Sequence, residues 1–262
     1  MKIAIIGSGN MGGAIARGLL SSGIANPADL ACSAKTDRNL ASLRQEFPGV
    51  VTTFDNKEAV EDADIIILAV KPWLMEEVMQ EIGPVIPGKA LLCSVAAGIS
   101  CSDLQDMLRR SEAISVPVFR IVPNTAAAVG ASITFICSDG ADDDARAIVD
   151  GIFEAIGEVM EVPERLIPAY TAMASCGIAF VFRYIRAAME AGIEMGIYPK
   201  DAARVAELTA RGAAELLLAS GAHPEAEIDR VTTPGGITIR GINTLDALGF
   251  NNAVIKAHKA CL

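Results

Sequence analysis

Along residues 1–156, short apolar runs alternate with stretches of helical spacing. KIAIIG, ADLACS, GVVTT, ADIIILAV, KALLCSV, VFRIV and ASITFICS read as successive strands, since compact runs of apolar and β-branched residues between turn formers favour extended backbone. Met11 to Leu20, Lys57 to Asp62, Trp73 to Ile82 and Ser102 to Arg109 show helical spacing and polar faces, which predicts helices. Strand and helix in alternation imply parallel strands joined by crossover helices. A run as uniformly apolar as Ile65 to Val70 implies a sheet covered on both faces.

Beyond Pro163 the strand-like runs stop, and the chain becomes an Ala-, Leu- and Glu-rich series of helix formers. The pattern predicts two domains, 1–160 and 161–262. In the second, Leu166 to Gly196 reads as one long helix and Lys200 to Ala219 as another, with two shorter helical stretches after Pro234 and Asn251. Pro199, Gly221 with Pro224, and Pro234 with Gly235 and Gly236 punctuate them. Leu166 to Phe182 carries no charge, but Pro168, Tyr170, Thr171, Ser175 and Gly177 dilute it, and it is expected to be a buried helix of a soluble core rather than a membrane span.

Composition adds an oligomer. The chain is 52% hydrophobic but only 5% aromatic, so the helical half has few rings to fill a private core. Its faces are expected to be buried against a second copy, as a homodimer or higher homo-oligomer; the alternative is a small self-sufficient bundle. The 22 basic against 32 acidic residues leave a net charge of −10, which speaks against a nucleic-acid partner. Nine acids and one base between Asp139 and Glu164 hold most of that excess. Six cysteines without a C-x-x-C, and no histidine at metal-ligand spacing, indicate no metal site and reduced, mostly buried thiols. With an N-terminal apolar run too short for a signal-peptide core, the expected setting is cytoplasmic.

Gly7, Gly9 and Gly12 form G-x-G-x-x-G directly after the first strand and before the first helix. In that position the glycines allow a tight turn and close approach of a pyrophosphate to free helix-terminal amides; the alternative is a turn needed only for packing. The first domain is therefore expected to be an α/β Rossmann-like dinucleotide-binding domain. The second strand ends at Ser33-Ala34-Lys35 without the acid that would bind an NAD ribose. Ser33, Lys35 and Arg38 offer a hydroxyl and cations to a 2′-phosphate, so NADP(H) is expected to be preferred, with NAD(H) also accepted; the alternative is that Lys35 and Arg38 are ordinary solvated charges. Ala69-Val70-Lys71-Pro72 and Ser94-Val95-Ala96-Ala97-Gly98 close the fourth and fifth strands at the edge where open parallel sheets bind ligands. In the helical half, Thr233-Pro234-Gly235-Gly236-Ile237-Thr238 opens a second helix N-terminus with flanking hydroxyls. Such a loop can hold a small carboxylate, or it is a plain capped helix start.

Taken together, Ile6-Gly7-Ser8-Gly9-Asn10-Met11, Asp55-Asn56, Ala69 to Pro72, Pro123-Asn124-Thr125 and above all Thr233 to Thr238 make the whole chain resemble the delta-1-pyrroline-5-carboxylate reductase family. The resemblance implies an NAD(P)H-binding domain followed by an all-α dimerisation domain, and reduction of 1-pyrroline-5-carboxylate to L-proline in proline biosynthesis. Position by position it makes Ile6, Gly7, Ser8, Gly9, Asn10 and Met11 the pyrophosphate loop, and Ser33 and Asn56 contacts on the adenosine side. Ala69, Val70, Lys71 and Pro72 with Val95, Ala96 and Ala97 become the nicotinamide side. Thr233, Gly236, Ile237 and Thr238 become the substrate loop, and Glu164 an acidic position bordering the ligand. The chain departs from the family pattern at Val122, Thr233, Ala174 to Gly177 and Arg230.

Only His223 and His258 are present, neither near a strand end. A partly protonated cyclic imine needs no strong acid, so Thr238 is the expected catalytic contact to the ring nitrogen, with Lys71 a lesser candidate. Two other readings stay open: a related NADP-dependent imine or keto-acid reductase, and a non-enzymatic NADP-binding redox sensor.

Overall fold

The computed structural model describes all 262 residues and divides into two compact units, Met1–Ser175 and Cys176–Leu262. The first holds eight strands: β1 (Ile3–Ile6), β2 (Leu30–Ser33), β3 (Val51–Thr53), β4 (Ile65–Leu68), β5 (Leu91–Ser94), β6 (Val118–Val122), β7 (Ser132–Asp139) and β8 (Gly157–Glu161). They form one sheet in the order β3-β2-β1-β4-β5-β6-β7-β8. The order reverses between β1 and β4, the topological switch point of a Rossmann-like sheet.

Helices α1 (Asn10–Ser22), α2 (Asp37–Glu46), α3 (Asn56–Val60), α4 (Met75–Ile82), α5 (Cys101–Arg110) and α6 (Asp143–Glu154) connect and cover the strands. The two-residue period of a strand sends Ile3 and Ile5 of β1 into a core with Ile15, Leu19, Val149 and Phe153 from α1 and α6. Ala4 and Ile6 enter a second core with Met75, Met79, Leu104 and Leu108 from α4 and α5. Every residue of β1 and β4 is buried, as a sheet covered on both faces requires.

Two strand expectations need correction. β6 and β7 pair antiparallel: the short link between them cannot make the long crossover that a parallel pair needs. β8 was not anticipated. It is an edge strand paired only with β7, and Glu158, Met160 and Glu161 are exposed, so the apolar run that marks a central strand is missing.

From Glu164 to Glu194 the chain is one helical stretch, running through α7 (Ile167–Tyr170), a π-helical segment (Thr171–Cys176) and α8 (Gly177–Glu194). It is long and apolar enough to cross a membrane by length and composition, with mean hydropathy 1.4 over its most apolar window. The expected burial of this segment is not found: only 17% of that window is buried within the chain, because little of the same chain covers it.

The second unit continues with α9 (Pro199–Ser220), α10 (Pro224–Val231), α11 (Ile237–Ala247) and α12 (Phe250–Lys259). Gly221 and Pro224 punctuate as expected, Gly221 capping α9 and Pro224 opening α10 at its first turn, where a missing N–H costs nothing; α10 itself was not anticipated, and His223 Nδ1 accepts from the Glu225 amide as its cap. α8 packs on α9, with Gly192 and Ala202 both buried. Apart from Gly177, Gly192, Ala202 and Ala206 nothing in this unit is buried. Phe182, Leu216, Leu218 and Leu248 are exposed, Leu218 by 85%.

Candidate active site

The glycine loop follows β1 at the switch point. The Gly7 and Ser8 amides both donate to the Ser33 carbonyl at the end of β2 (3.1 and 2.8 Å), tying the loop to its neighbour strand. Gly7 has φ +97°, and a Cβ there would lie 2.8 Å from Val70 Cγ1. One at Gly12 would lie 2.3 Å from the Gly7 carbonyl, so α1 approaches the turn more closely than any side chain allows. At Gly9 a Cβ would meet nothing within 4 Å: that side of the loop faces open space.

Gly9 caps α1 without a side chain, and the first intrahelical bond runs from Gly13 to Gly9. The Asn10, Met11 and Gly12 amides are therefore free of helix partners at the positive end of the helix. Ser8 Oγ, in a residue only 2% exposed, has no hydrogen-bond partner by distance and angle, with only the Cys32 thiol beside it. Open space at Gly9, three free amides and an orphan hydroxyl fit a pyrophosphate. A cleft of about 330 Å³ runs along the loop past Asn10, Arg17, Asn39 and Thr125.

The neighbouring strand ends meet the same edge. Ala69 donates to the Ile6 carbonyl (2.8 Å), which with Val70 sets it against the glycine loop, and Val95 donates to the Leu68 carbonyl (3.0 Å) at the end of the next strand. Ser33 Oγ donates to Asn56 Oδ1 at 2.6 Å, and Asn56 Nδ2 donates to Glu81 Oε2 at 2.8 Å. Lys35 instead turns to Glu77 of α4, with Nζ 3.6 Å from its carboxylate. Lys71 is exposed where a 3-10 turn begins at Pro72.

Glu164 lies in the first unit as well. Its Oε1 accepts from the Cys101 amide (2.8 Å) at the start of α5 and from the Arg120 guanidinium (3.1 Å). The Cys101 and Cys137 thiols and a Glu164 carboxylate oxygen lie within 4.8 Å of one another, a cluster the sequence spacing did not reveal because the fold makes it from α5, β7 and a 3-10 turn. The Cys101 and Cys137 thiols donate to the Cys137 and Arg120 carbonyls (both 3.9 Å), and the neighbouring Cys137 thiol, then burial, push Cys101 well above the ordinary thiol range. The Arg120 guanidinium already supplies the cation that Glu164 faces, which opposes a divalent ion there.

Thr233, Gly236, Ile237 and Thr238 belong to the second unit. The Gly236 amide donates to the Thr233 carbonyl (2.9 Å) and Gly235 has φ +72°, so Thr233 to Gly236 is a turn with Pro at its second position and a left-handed Gly at its third, the type II arrangement. Gly236 then caps α11 with no side chain. The turn uses the Gly236 amide, which leaves the Ile237, Thr238 and Ile239 amides as the free ones. Thr233, Ile237 and Thr238 are exposed, Ile237 by 84%. Both histidines have structural positions: His223 caps α10, and the His258 ring meets Phe180 edge-on at 4.8 Å while its Nδ1 bonds the Val254 carbonyl.

Comparison with known proteins agrees with this layout. The model for the pyrroline-5-carboxylate reductase dimerisation domain matches residues 164–262, and one for coenzyme F420-dependent NADP oxidoreductases matches residues 2–98. The chain is 36% identical to pyrroline-5-carboxylate reductase 2 of Dictyostelium discoideum over 97% of its own length and 89% of the relative's. It is 35% identical to the pyrroline-5-carboxylate reductase of Methanosarcina acetivorans, covering 98% and 95% of the two chains. The crystal structure of Plasmodium falciparum pyrroline carboxylate reductase with NADP bound superposes with a TM-score of 0.89 at 26% identity, over 100% of this chain and 95% of that one. With a Rossmann-like sheet ending in a glycine loop, a helical second unit and this likeness along nearly its whole length, the chain belongs to the pyrroline-5-carboxylate reductase family.

Proposed function

We propose that the chain is an NAD(P)H-dependent reductase that converts 1-pyrroline-5-carboxylate to L-proline, the last step of proline biosynthesis. The observation that carries this reading is the 36% identity over 97% of the chain to a reductase of that name. The free amides of Asn10, Met11 and Gly12, with Ser8 Oγ, hold the pyrophosphate, and the partly exposed Asn56 meets the adenosine ribose with the fully buried Ser33 hydroxyl bonded behind it. Ala69 to Pro72 and Val95 to Ala97 line the nicotinamide side. NADP(H) is the preferred cofactor in this reading: no acid ends β2, and Arg38 makes no ion pair.

When bound, the reduced nicotinamide supplies the hydride. What remains for the chain is orientation. The Ile237 and Thr238 amides and the Thr233 hydroxyl bind the substrate carboxylate. Thr238 Oγ accepts the N–H of the ring iminium, so the C=N carbon takes hydride while the nitrogen keeps its proton. No chain acid is required, consistent with the structural commitments of both histidines. Glu164 borders the ligand.

The working form is a homodimer or larger assembly through the C-terminal helices, supported by the near absence of buried residues in the second unit. Six free cysteines suit a reducing, cytoplasmic setting.

The test is NADPH oxidation followed by absorbance with 1-pyrroline-5-carboxylate as acceptor. Turnover with proline as product is expected. No turnover with this imine but reduction of another imine or a keto acid would replace the substrate. Tight NADPH binding without turnover on any acceptor would make the protein a sensor.

A further inference from the structure

Cys101 and Cys137 stand side by side although 36 positions separate them, and the proposed reaction uses neither thiol. Cys101 opens α5 and is 4% exposed, whereas Cys137 on β7 is partly exposed. Cys101 Sγ donates to the Cys137 carbonyl, and Cys137 Sγ donates to the carbonyl of Arg120, its register partner on β6. The two sulfurs lie within 4.8 Å of each other. A disulfide needs about 2 Å, and one staggered rotation about a Cα–Cβ bond moves a sulfur by roughly 3 Å, enough to close the gap.

The other thiols differ. Cys32 and Cys93 are buried in the sheet, and burial pushes Cys32 up to about 12 and Cys93 higher still, so neither ionises near neutral pH. Cys176 and Cys261 neighbour one another in the second unit, away from the glycine loop and the strand ends. Within the first pair Cys137 meets an oxidant first, because it is the more exposed sulfur and Cys101 is held well above the ordinary thiol range.

We propose that Cys101 and Cys137 form an oxidisable dithiol that closes to a disulfide on contact with a hydroperoxide and lowers turnover while closed. The Cys137 thiolate attacks the terminal peroxide oxygen and the O–O bond breaks. The leaving oxygen takes the proton that Cys137 gave up, and Cys137 becomes a sulfenic acid. The Cys101 sulfur then attacks that sulfur, the S–O bond breaks, and the hydroxyl departs as water with the Cys101 proton. The two thiols lose two electrons, and the hydroperoxide gains them as it is reduced to an alcohol or to water. The link to turnover rests on the reductase reading above. The Cys101 amide holds Glu164 Oε1 at 2.8 Å, and Cys101 follows the strand-end segment Val95 to Ala97 by four residues. Drawing Cys101 toward β7 displaces both.

The experiment treats the purified full-length wild type, C101S, C137S and C176S/C261S with a slight excess of hydrogen peroxide. Intact mass, peptide maps without reduction, and NADPH oxidation are read before and after dithiothreitol. In C176S/C261S a loss of about 2 Da is expected, with the Cys101 and Cys137 peptides linked. Turnover there and in the wild type should fall roughly tenfold and recover on reduction, since small displacements beside bound reactants cost that much. C137S should keep its turnover through the treatment. C101S should carry a sulfenic acid on Cys137 that dimedone traps, so each single variant serves if the other folds poorly. The proposal is overturned if peroxide leaves these two thiols unlinked, if the only link joins Cys176 to Cys261, or if the linked protein turns over as fast as before. A wild type inactive before treatment would defeat the reductase reading and the turnover half of this proposal, while the linked peptides would still decide whether the dithiol closes.

Discussion

Arg120 and Glu164 meet at 3.1 Å, with the Arg120 side chain only 11% exposed and the same carboxylate oxygen accepting from the Cys101 amide. One acid at the foot of the long helix thereby ties β6 to the start of α5. In E164Q the guanidinium keeps its burial and loses its counter-charge, at a cost of about 1–3 kcal/mol. Urea unfolding should show a midpoint lowered in proportion at unchanged slope. An unchanged midpoint would mean that water replaces the carboxylate at no cost.

The Thr238 hydroxyl is exposed and makes no hydrogen bond within the chain. T238A should therefore leave the melting temperature in place while lowering kcat by about tenfold or more, because a hydrogen bond to a charged ring nitrogen is worth roughly 1.5–3 kcal/mol. Unaltered kinetics would remove Thr238 from the reaction.

Gly9 and Gly12 should separate binding from folding. The G9A methyl enters open space, so the protein should fold normally and bind NADPH at least roughly tenfold more weakly, because the methyl stands where the pyrophosphate must come. The G12A methyl meets the Gly7 carbonyl at 2.3 Å and should lower thermal stability as well. Calorimetry of both variants with and without NADPH distinguishes the two effects.

Phe180, Tyr184, Phe250 and Val254 line an apolar groove of about 510 Å³ in the second unit. Sedimentation should show a dimer or larger species at micromolar concentration. F250D should shift it toward monomer and lower its melting temperature. A monomeric wild type would contradict the proposed assembly.

Asp150 is the one acid whose titration runs against folding. Burial, then the neighbouring Glu161 and Glu154, raise it above the ordinary carboxylate value, and its Oδ1 is buried without a partner. A raised carboxylate means that the native state binds the proton more readily, so this group's contribution to stability falls as pH rises from the unfolded value through the folded one. Asp64 has the opposite sign: hydrogen bonds from Lys89 and the Lys2 amide lower it, and its stabilisation is lost as pH falls through its folded value. D150N should raise the melting temperature at neutral pH by about 2 °C and remove its share of the decline with rising pH. A variant less stable than wild type at pH 7 would show that the charge is favourably placed.

The sequence by itself determined the parts of this protein that are local. Seven of the eight strands carry their own apolar runs, the glycine loop carries its spacing, and the Thr233 to Thr238 turn carries Pro and Gly at the positions its backbone requires. Each depends on residues a few positions apart, so each is written in the order of the chain. Tertiary structure decided the rest. β8 is apolar only in part and becomes a strand because β7 offers it an edge. The long helix reads as core yet stays largely uncovered, since burial depends on which surfaces meet and not on hydropathy. Glu81 and Glu164 reach Asn56 and Arg120 across 25 and 44 positions. No spacing rule joins residues so distant; crossover connections and strand order bring them together, and it is there that a hydroxyl's proton or a buried guanidinium finds its partner.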